Sequence, residues 1–362
     1  MTHDDIHALA RHIAGDTFVS LRQIRRGGNN QLYRLETTTG PKALKCYRQA
    51  SQDPRNRQGR ETCALHFFAR HGLTQAPRLL DQDRHQGWSL LEWVEGVPVQ
   101  KIAPRDVDQA LATIESLYQA GLVTFDHDLP EATDAVLSGQ NLTDTIERRH
   151  DRLKASFDQH PELAHLIQGR VLPFYHEKNA AVREAFKRAG IDWATPLPKN
   201  FRLPSPSDFG LHNALRQNDG RLIFLDFEYF GWDDPVKLAS DMVLHPGMDL
   251  AGLYQQSYHQ SDLQPVQHGA TSEQLLQGFH RIFHGDPLFS QRLESLFPLF
   301  GVVWIYILLN EFRSEGWQQR AFANDQQNQT QACRLQMLKA LRLMDQLEKE
   351  TLLKPCTTPL TP

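Results

Sequence analysis

The sequence predicts an α+β protein of two lobes, in which a small antiparallel sheet with one helix precedes a larger, mostly helical region. Over the first 96 residues, short strand patterns alternate with turns and are interrupted by a single long helical pattern. From Ala103 onward, apolar residues recur mainly at helical spacing. We therefore expect an N-terminal lobe over residues 1–96, a helical C-terminal lobe over residues 97–350 and a flexible tail over residues 351–362.

The elements of the N-terminal lobe each have a local signal. Ile6, Leu9 and Ile13 lie three or four residues apart, which predicts an amphipathic helix ending near Gly15. Turn residues separate the next three apolar runs, which predicts an antiparallel meander. The predicted strands are 17–24, 31–37, 43–47, 78–81 and 88–93, with a helix over 57–71 after the third strand.

Helical patterns dominate the C-terminal lobe. Val107, Leu111, Ile114 and Leu117 form one apolar stripe, and residues 139–160 and 162–189 predict two long helices. Strand signals after that point flank only Asn213 and Asp226, with a turn at 218–220 between them. We expect the chain to be helical from there to residue 350.

Composition is that of a soluble globular protein, with 40% hydrophobic and 23% charged residues. The apolar run 296–309 is shorter than the roughly 20 residues that cross a bilayer, so we interpret it as a buried helix and expect no membrane span. The start of the chain is polar and acidic, unlike a secretory signal. The four cysteines have no paired spacing and read as reduced thiols, so we expect a cytoplasmic protein.

Charge is distributed unevenly along the chain. Residues 1–97 carry 14 Lys and Arg against 10 Asp and Glu, whereas the remainder carries 25 against 33. A basic N-terminal lobe suits a polyanionic nucleotide, and an acidic remainder favours a neutral or cationic acceptor over nucleic acid. We therefore expect no nucleic-acid partner.

Two short polar segments carry the strongest functional signal. Asp208 is followed five residues later by Asn213, and Asp226 follows the apolar run 222–225. Mg-nucleotide phosphoryl transfer needs a carboxylate at the acceptor hydroxyl and two oxygen ligands for the metal. We therefore interpret Asp208 as the catalytic residue and Asn213 and Asp226 as Mg²⁺ ligands. Glu228 is a further candidate metal ligand, and it equally fits a structural position in the following loop.

The tripeptide 208–210 reads Asp-Phe-Gly and allows another interpretation, because protein kinases use that tripeptide for a metal-binding Asp. That interpretation requires an upstream Asp with an Asn five residues later. The upstream Asp at a suitable distance is Asp192, and Leu197 stands five residues beyond it. The assignment of Asp208 and Asn213 to the catalytic loop fits better.

The N-terminal lobe supplies candidate nucleotide ligands. Lys45 lies on a predicted strand, on the opposite face from Leu44 and Cys46, where its charge suits nucleotide phosphates. Glu61 on the next helix is placed to pair with Lys45. A glycine-containing turn between strands offers backbone amides to phosphates, and the segment after the last strand offers backbone groups to adenine. The residues concerned are Gly27, Gly28, Asn29 and Asn30 in the turn, and Glu92, Trp93 and Val94 in the segment.

Together these residues resemble the aminoglycoside phosphotransferase and choline kinase group of protein-kinase-like small-molecule phosphotransferases. The resemblance rests on Lys45, Glu61, the segment 91–96, the loop 207–213 and the run from Asp226 through residue 241. It spans roughly residues 17–245. It implies a two-lobed kinase-like fold and a Mg²⁺-dependent enzyme that moves the γ-phosphoryl group of ATP to a hydroxyl of a small molecule.

The catalytic loop departs from the pattern of that group, which is His-Gly-Asp-x-His-x-x-Asn. Pro206 stands at the first His, Gly210 at the second, and His212 lies beside the Asn. We expect Asp241 to brace the loop through backbone amides. The departures leave open an alternative function, a catalytically weak kinase-like module that binds nucleotide and acts as a regulator.

A protein-substrate kinase fits less well, because no Ala-Pro-Glu segment follows Asp226 and the chain enters a helix directly after residue 235. The pattern names neither the acceptor nor an oligomeric state.

Overall fold

A five-stranded antiparallel sheet forms the N-terminal lobe. The computed structural model describes residues 3–26, 30–48, 53–124, 129–250, 252, 254, 268–313 and 329–353. The strands lie in the order β1-β2-β3-β5-β4, and the predicted antiparallel lobe is confirmed. Their bounds are Phe18–Arg26 (β1), Asn30–Thr37 (β2), Lys42–Tyr47 (β3), Leu79–Asp83 (β4) and Trp88–Glu92 (β5).

One helix packs on each face of this sheet. Helix α1 (His3–Ala14) buries its apolar stripe, including Ile6, in a cluster with Leu44 of β3. Helix α2 (Arg57–Arg70) packs with Ala43 of β3 in the main core. Because side chains alternate along a strand, Lys45 points to the α2 side of the sheet, as predicted.

Eight helices of the C-terminal lobe lie in the described part of the chain. The region expected as one helix over 162–189 contains two helices joined by a π-helical turn, Ile167–Val171. Pro173 near the start of the second helix has no N–H to donate to the preceding turn, which accounts for this irregularity. The eight helices are Pro104–Leu122 (α3), Gly139–Lys154 (α4), Pro161–Leu166 (α5), Leu172–Arg188 (α6), Pro235–Leu244 (α7), His268–Ile282 (α8), Phe289–Leu308 (α9) and Gln329–Glu348 (α10).

Helix α9 is the central helix of this lobe and packs against α4, α6, α7 and α10. With its short continuation to Phe312, it is long and apolar enough to cross a membrane, yet 72% of its apolar window is buried inside the protein. The prediction of a buried core helix is therefore confirmed.

Two small sheets position the polar motif segments. Strands β6 (Val97–Pro98), β8 (Ala214–Arg216) and β9 (Leu222–Phe224) form one, and β7 (Leu203–Ser205) pairs with β10 (Gly231–Asp233) in the other. The expectation that strands after residue 189 lie only beside Asn213 and Asp226 was wrong for β7 and β10, and β6 was not predicted. These strands of two or three residues are too short to show an alternating pattern. As a result, Asp208 lies in the β7–β8 loop and Asp226 in the β9–β10 loop.

Candidate functional site

Lys45 lies at the centre of a cluster of carboxylates that joins the two lobes. Its Nζ is 2.7 Å from Oε2 of Glu61, 2.8 Å from Oδ1 of Asp226 and 3.3 Å from Oε1 of Glu228. Only 7% of the Lys45 side chain is exposed. The structure thus brings together the predicted Lys45 and Glu61 and adds both acidic residues of the β9–β10 loop.

The charge of Lys45 is held firmly by these neighbours. Burial on its own would lower the pKa of Lys45, but the carboxylates of Asp226 and Glu61 outweigh it and raise that pKa well above its ordinary value. Lys45 is therefore a fixed cation throughout the physiological pH range.

Tyr47 is a member of this cluster that the sequence analysis missed. It follows Lys45 at the strand period of two, so both side chains lie on one face of β3. Its buried hydroxyl donates a hydrogen bond to Oε2 of Glu61, the oxygen that Lys45 also contacts. Burial and the neighbouring Glu61 raise the pKa of Tyr47 well above its ordinary value, so the hydroxyl keeps its proton. The strand period was the signal that could have revealed Tyr47.

Glu228 is almost fully buried on the N-terminal lobe side of the β9–β10 loop. Nδ2 of Asn30 donates a hydrogen bond to its Oε1, and Nε of Arg57 lies 3.4 Å from its Oε2. Burial, which outweighs the attraction of Lys45, raises the pKa of Glu228 to about 8. Asn30 is therefore beside the acidic cluster, whereas Gly27, Gly28 and Asn29 lie outside the described residues.

Asp226 adopts a left-handed backbone conformation, with a φ of 69°. Asp tolerates this region better than most residues. Burial would raise the pKa of Asp226, but the charge and hydrogen bond of Lys45 reverse the effect and lower it. Its carboxylate is therefore ionised. The side chain is 32% exposed, which leaves it accessible to a ligand.

Oxygen atoms around Asp226 fit a hard divalent cation. Ligand atoms of Glu61, Asp226 and Glu228 lie within 4.8 Å of one another. The carbonyl oxygen of Asn213 accepts the backbone N–H of Leu225 at 2.8 Å, which ties Asn213 to the strand end next to Asp226. Carboxylate and amide oxygens are ligands that Mg²⁺ prefers. The donor set therefore suits the predicted metal.

The side chain of Asp208 is close enough to Asp226 for its charge to raise the pKa of Asp226, and it remains 42% exposed. Nε2 of His212 lies 3.1 Å from its Oδ1, and Nδ2 of Asn213 donates to its backbone oxygen at 3.1 Å. Burial would raise the pKa of Asp208, but the hydrogen bond from His212 and the nearby His245 lower it overall. Asp208 is therefore ionised and accessible at neutral pH.

Asp241 does not brace this loop through backbone amides, so that expectation was wrong. Its Oδ2 lies 3.1 Å from Nζ of Lys237, and its Oδ1 accepts the indole N–H of Trp304 at 2.8 Å. The neighbouring Asp233 accepts backbone amides instead, from Val136 at 2.8 Å and from the residue that follows it at 2.9 Å. A carboxylate eight residues earlier, at the end of β10, thus has the type of contact expected of Asp241.

The segment between β5 and β6 links the two lobes. The backbone N–H of Glu92 donates to the carbonyl of Arg78 at 2.9 Å. The indole of Trp93 donates to Glu95 at 2.8 Å and lies under the guanidinium of Arg34, 4.6 Å from its ring centre. Glu92, Trp93 and Val94 are all half-buried here, in the interlobe position where they were expected.

The loop before Asp208 contains a residue in an unfavourable conformation. Ser207 has a φ of 63°, and its buried hydroxyl has no hydrogen-bond partner within the described part of the chain. The sequence pattern of the related phosphotransferases has Gly at this position, which adopts such a φ without strain. Ser207 adopts this φ although it has a Cβ, and its conformation therefore costs stability.

Comparisons with known proteins identify the family and the fold. Residues 20–282 match the model of the phosphotransferase enzyme family. No protein of curated function matches the sequence. Three similar solved structures have TM-scores of 0.57, 0.55 and 0.51 and identities of 9%, 14% and 14%. They are a spectinomycin phosphotransferase in complex with ADP and spectinomycin, a choline kinase from Streptococcus pneumoniae and an ethanolamine kinase from Plasmodium vivax.

The alignments cover 96%, 94% and 91% of this chain and 99%, 99% and 83% of those structures. At such identities the likeness establishes the kinase-like fold, and the family match covers well over half of the chain. The chain therefore belongs to the phosphotransferase enzyme family.

Proposed function

We propose that this protein is an ATP-dependent enzyme that transfers the γ-phosphoryl group to a hydroxyl of a small molecule with the help of Mg²⁺. The observation that carries the proposal is the joint contact of Lys45 with Glu61 and Asp226, together with an ionised and accessible Asp208 whose charge acts on Asp226. Phosphoryl transfer depends mainly on positioning and on stabilisation of charge. These four residues supply both.

The N-terminal lobe binds the nucleotide in this proposal. Lys45 acts on the phosphates as a point charge whose position is set by Glu61 and, through Glu61, by Tyr47. Backbone groups of residues 92–94 bind the adenine, and residues 27–30 offer backbone amides to the phosphates. The ADP bound to the spectinomycin phosphotransferase of similar fold supports ATP as co-substrate.

Asn213 and Asp226 would hold Mg²⁺, with Glu228 as a third oxygen ligand. When bound, the ion neutralises charge on the phosphates. Lys45 contacts Asp226 and Glu228, so it would share these carboxylates with a bound Mg²⁺. The fit rests on the oxygen donors gathered around Asp226.

Asp208 receives the acceptor. Its ionised carboxylate orients the acceptor hydroxyl and takes its proton. A bond forms between the acceptor oxygen and the γ-phosphorus, and the bond from that phosphorus to the oxygen of ADP breaks. The lowered pKa of Asp208 keeps the carboxylate ready to accept the proton.

A small acceptor fits better than a protein substrate. Only residues 229–234 separate Glu228 from helix α7, and β10 occupies half of them. This short connection leaves no room for the long activation segment with which protein kinases bind their substrates. The relatives of similar fold, which act on spectinomycin or are choline and ethanolamine kinases, support the same choice.

The proposal is tested with purified protein, Mg-ATP and a panel of sugars, amino alcohols, aminoglycosides and lipid head groups, followed by ADP release. We expect turnover on at least one acceptor and a loss of at least about 10²-fold in Asp208→Ala. Asp219→Ala in the exposed β8–β9 turn is the matched control and should behave as wild type.

Calorimetry on Asp226→Ala should find Mg-dependent ATP affinity abolished. Unchanged affinity would reject the metal role of Asp226. Tight Mg-ATP binding without turnover on any acceptor would favour the regulatory alternative.

A further inference from the structure

We propose that His212 and His245 act as a histidine clamp, a pair of positioning residues that hold Oδ1 of Asp208 and leave Oδ2 to the acceptor hydroxyl. His212 holds Oδ1 through a hydrogen bond, and His245 holds it through the longer approach of its Nε2–H. The inference rests on the proposed function of Asp208. It assigns a role to His245, which lies at the end of α7 and 37 residues after Asp208 in the chain.

The two imidazoles are arranged as one unit. Their ring centres lie 3.9 Å apart with an interplanar angle of 9°, so the rings are stacked. Nε2 of His212 is 3.1 Å and Nε2 of His245 is 3.6 Å from the same atom, Oδ1 of Asp208. Both contacts fall on one oxygen of a carboxylate whose side chain is 42% exposed.

Backbone contacts fix which nitrogen of His245 carries the proton. The N–H of Gly247 donates to Nδ1 of His245 at 2.9 Å, so Nδ1 acts as acceptor. Burial and the adjacent His212 lower the pKa of His245 to about 3, which keeps the ring neutral. A neutral ring with an accepting Nδ1 has its proton on Nε2, the atom that faces Asp208.

The same tautomer argues against a metal site. Asp208, His212 and His245 place ligand atoms within 4.8 Å of one another, a spacing that would suit a metal ion. A metal-bound Nε2 carries no proton and leaves Nδ1 as a donor. Nδ1 of His245 accepts a hydrogen bond from the N–H of Gly247. A metal ion on Nε2 would place a proton on Nδ1, and that hydrogen bond would be lost.

Two glycines make room for the stacked rings. A Cβ on Gly210 would lie 2.8 Å from Nδ1 of His212 and 2.6 Å from Sδ of Met248. A Cβ on Gly247 would lie 2.9 Å from Cε1 of His245 and 3.0 Å from Cβ of His212. Real Cβ atoms very rarely approach other atoms so closely, so neither position accepts a larger residue without displacing the clamp.

Trp304 supports the outer face of the pair. Its ring meets His245 edge-on, with ring centres 5.0 Å apart at 83°. Its indole N–H is tied to Oδ1 of Asp241 at 2.8 Å. Asp241 therefore acts on the loop indirectly, because it holds the tryptophan that packs on His245.

The clamp also accounts for the departures of this loop from the related phosphotransferases. Their pattern has histidines at the positions of Pro206 and Gly210. Here Gly210 has no side chain, and the ring of His212 packs against its backbone. The loop thus lacks histidines at both pattern positions, and the imidazoles of His212 and His245 approach Asp208 instead.

The first test is independent of catalysis. Long-range ¹H–¹⁵N spectra of protein labelled at histidine report the tautomer of each ring, and His212→Gln and His245→Gln assign the two signals. We expect His245 to be neutral with its proton on Nε2, and Asp208→Ala to shift the Nε2–H signals of both rings. A proton on Nδ1 of His245, or signals unmoved in Asp208→Ala, would overturn the clamp even if the enzyme turned over well.

The second test separates positioning from stability. His245→Leu should lower kcat at least about tenfold, since loss of orientation acts on the chemical step, with KM for ATP within about twofold of wild type. His245→Gln keeps an N–H donor and should recover most of the loss. His85→Leu, in the exposed β4–β5 turn, is the control.

Equal loss in the Leu and Gln variants would contradict a donor role. Absence of turnover in wild type would contradict the proposed function and leave the tautomer result to decide on the clamp.

Discussion

Lys45 and Asp226 are in direct contact across the two lobes, with Nζ 2.8 Å from Oδ1. Because the same Nζ lies 2.7 Å from Glu61, a single cation joins β3, α2 and the β9–β10 loop. Lys45 is therefore expected to contribute both to the stability of the fold and to the binding of nucleotide.

Replacement of Lys45 by Met should destabilise the protein markedly. The variant leaves the carboxylate of Glu61, of which only 4% of the side chain is exposed, without its cation. Breaking one side of a buried pair costs about 3–5 kcal/mol. Urea denaturation of the protein without nucleotide measures the loss in the free energy of unfolding.

The matched control for that experiment is Lys45→Met combined with Glu61→Gln, which removes the unpaired charge. The double variant should recover part of the lost stability while Mg-ATP binding remains weak in calorimetry. A single variant as stable as wild type would contradict the assigned role of the pair.

Removal of the Tyr47 hydroxyl should have a smaller and more specific effect. Tyr47→Phe deletes one donor to Glu61 and leaves Lys45 as the remaining contact of that oxygen. Loss of one buried hydrogen bond to a charged group costs about 1.5–3 kcal/mol. We also expect a higher KM for ATP, because Glu61 is then held by Lys45 alone, and steady-state kinetics measure it.

Tyr33→Phe on β2 offers a control, since the Tyr33 hydroxyl donates to Gln31 and its ring packs with Ile6 and Leu44 in the cluster on the α1 side of the sheet. A KM for ATP that is equally raised in both variants would contradict a specific role for Tyr47.

Glu228 should make stability depend on pH. Its pKa of about 8 in the folded protein lies above the value of about 4.3 in an unfolded chain. Between these values the folded state holds one more proton, so the free energy of unfolding falls as pH rises. The stabilisation is complete below about pH 4.3 and is lost as pH passes through about 8.

Glu228→Gln does not titrate and should escape this loss. Its stability relative to wild type should rise between pH 5 and pH 8 by roughly 1–3 kcal/mol, as thermal unfolding at several pH values would measure. A parallel profile for Glu228→Gln and wild type would refute the raised pKa.

Local patterns in the sequence were sufficient to predict Lys45 and Glu61 as partners, because a strand period and a following helix fix both positions. They were equally sufficient to predict that Asp208 and Asn213 lie close together, because the two residues are five positions apart in one loop. His245 could not be predicted, since its place beside Asp208 depends on how α7 packs against the β7–β8 loop. The strands β7 and β10 were not predicted for a related reason. They pair over a long distance in the chain, and each has only three residues.

Ser207 provides a way to stabilise the protein. Its φ of 63° is unfavourable for a residue with a Cβ, and its hydroxyl is buried without a partner in the described structure. Ser207→Gly removes both penalties, against a loss of about 0.5–1 kcal/mol from the greater freedom of Gly in the unfolded chain. We expect a net gain of about 1 kcal/mol in the free energy of unfolding, measured by urea denaturation.

Ser116→Gly in the middle of α3 is the matched control for that gain. Ser116 has no positive φ, and its hydroxyl is bonded to the carbonyl of Ala112. The same substitution should therefore cost about 0.5–1 kcal/mol there, because Gly disfavours the helical conformation. If Ser207→Gly lost as much stability as Ser116→Gly, the left-handed conformation of Ser207 would be refuted.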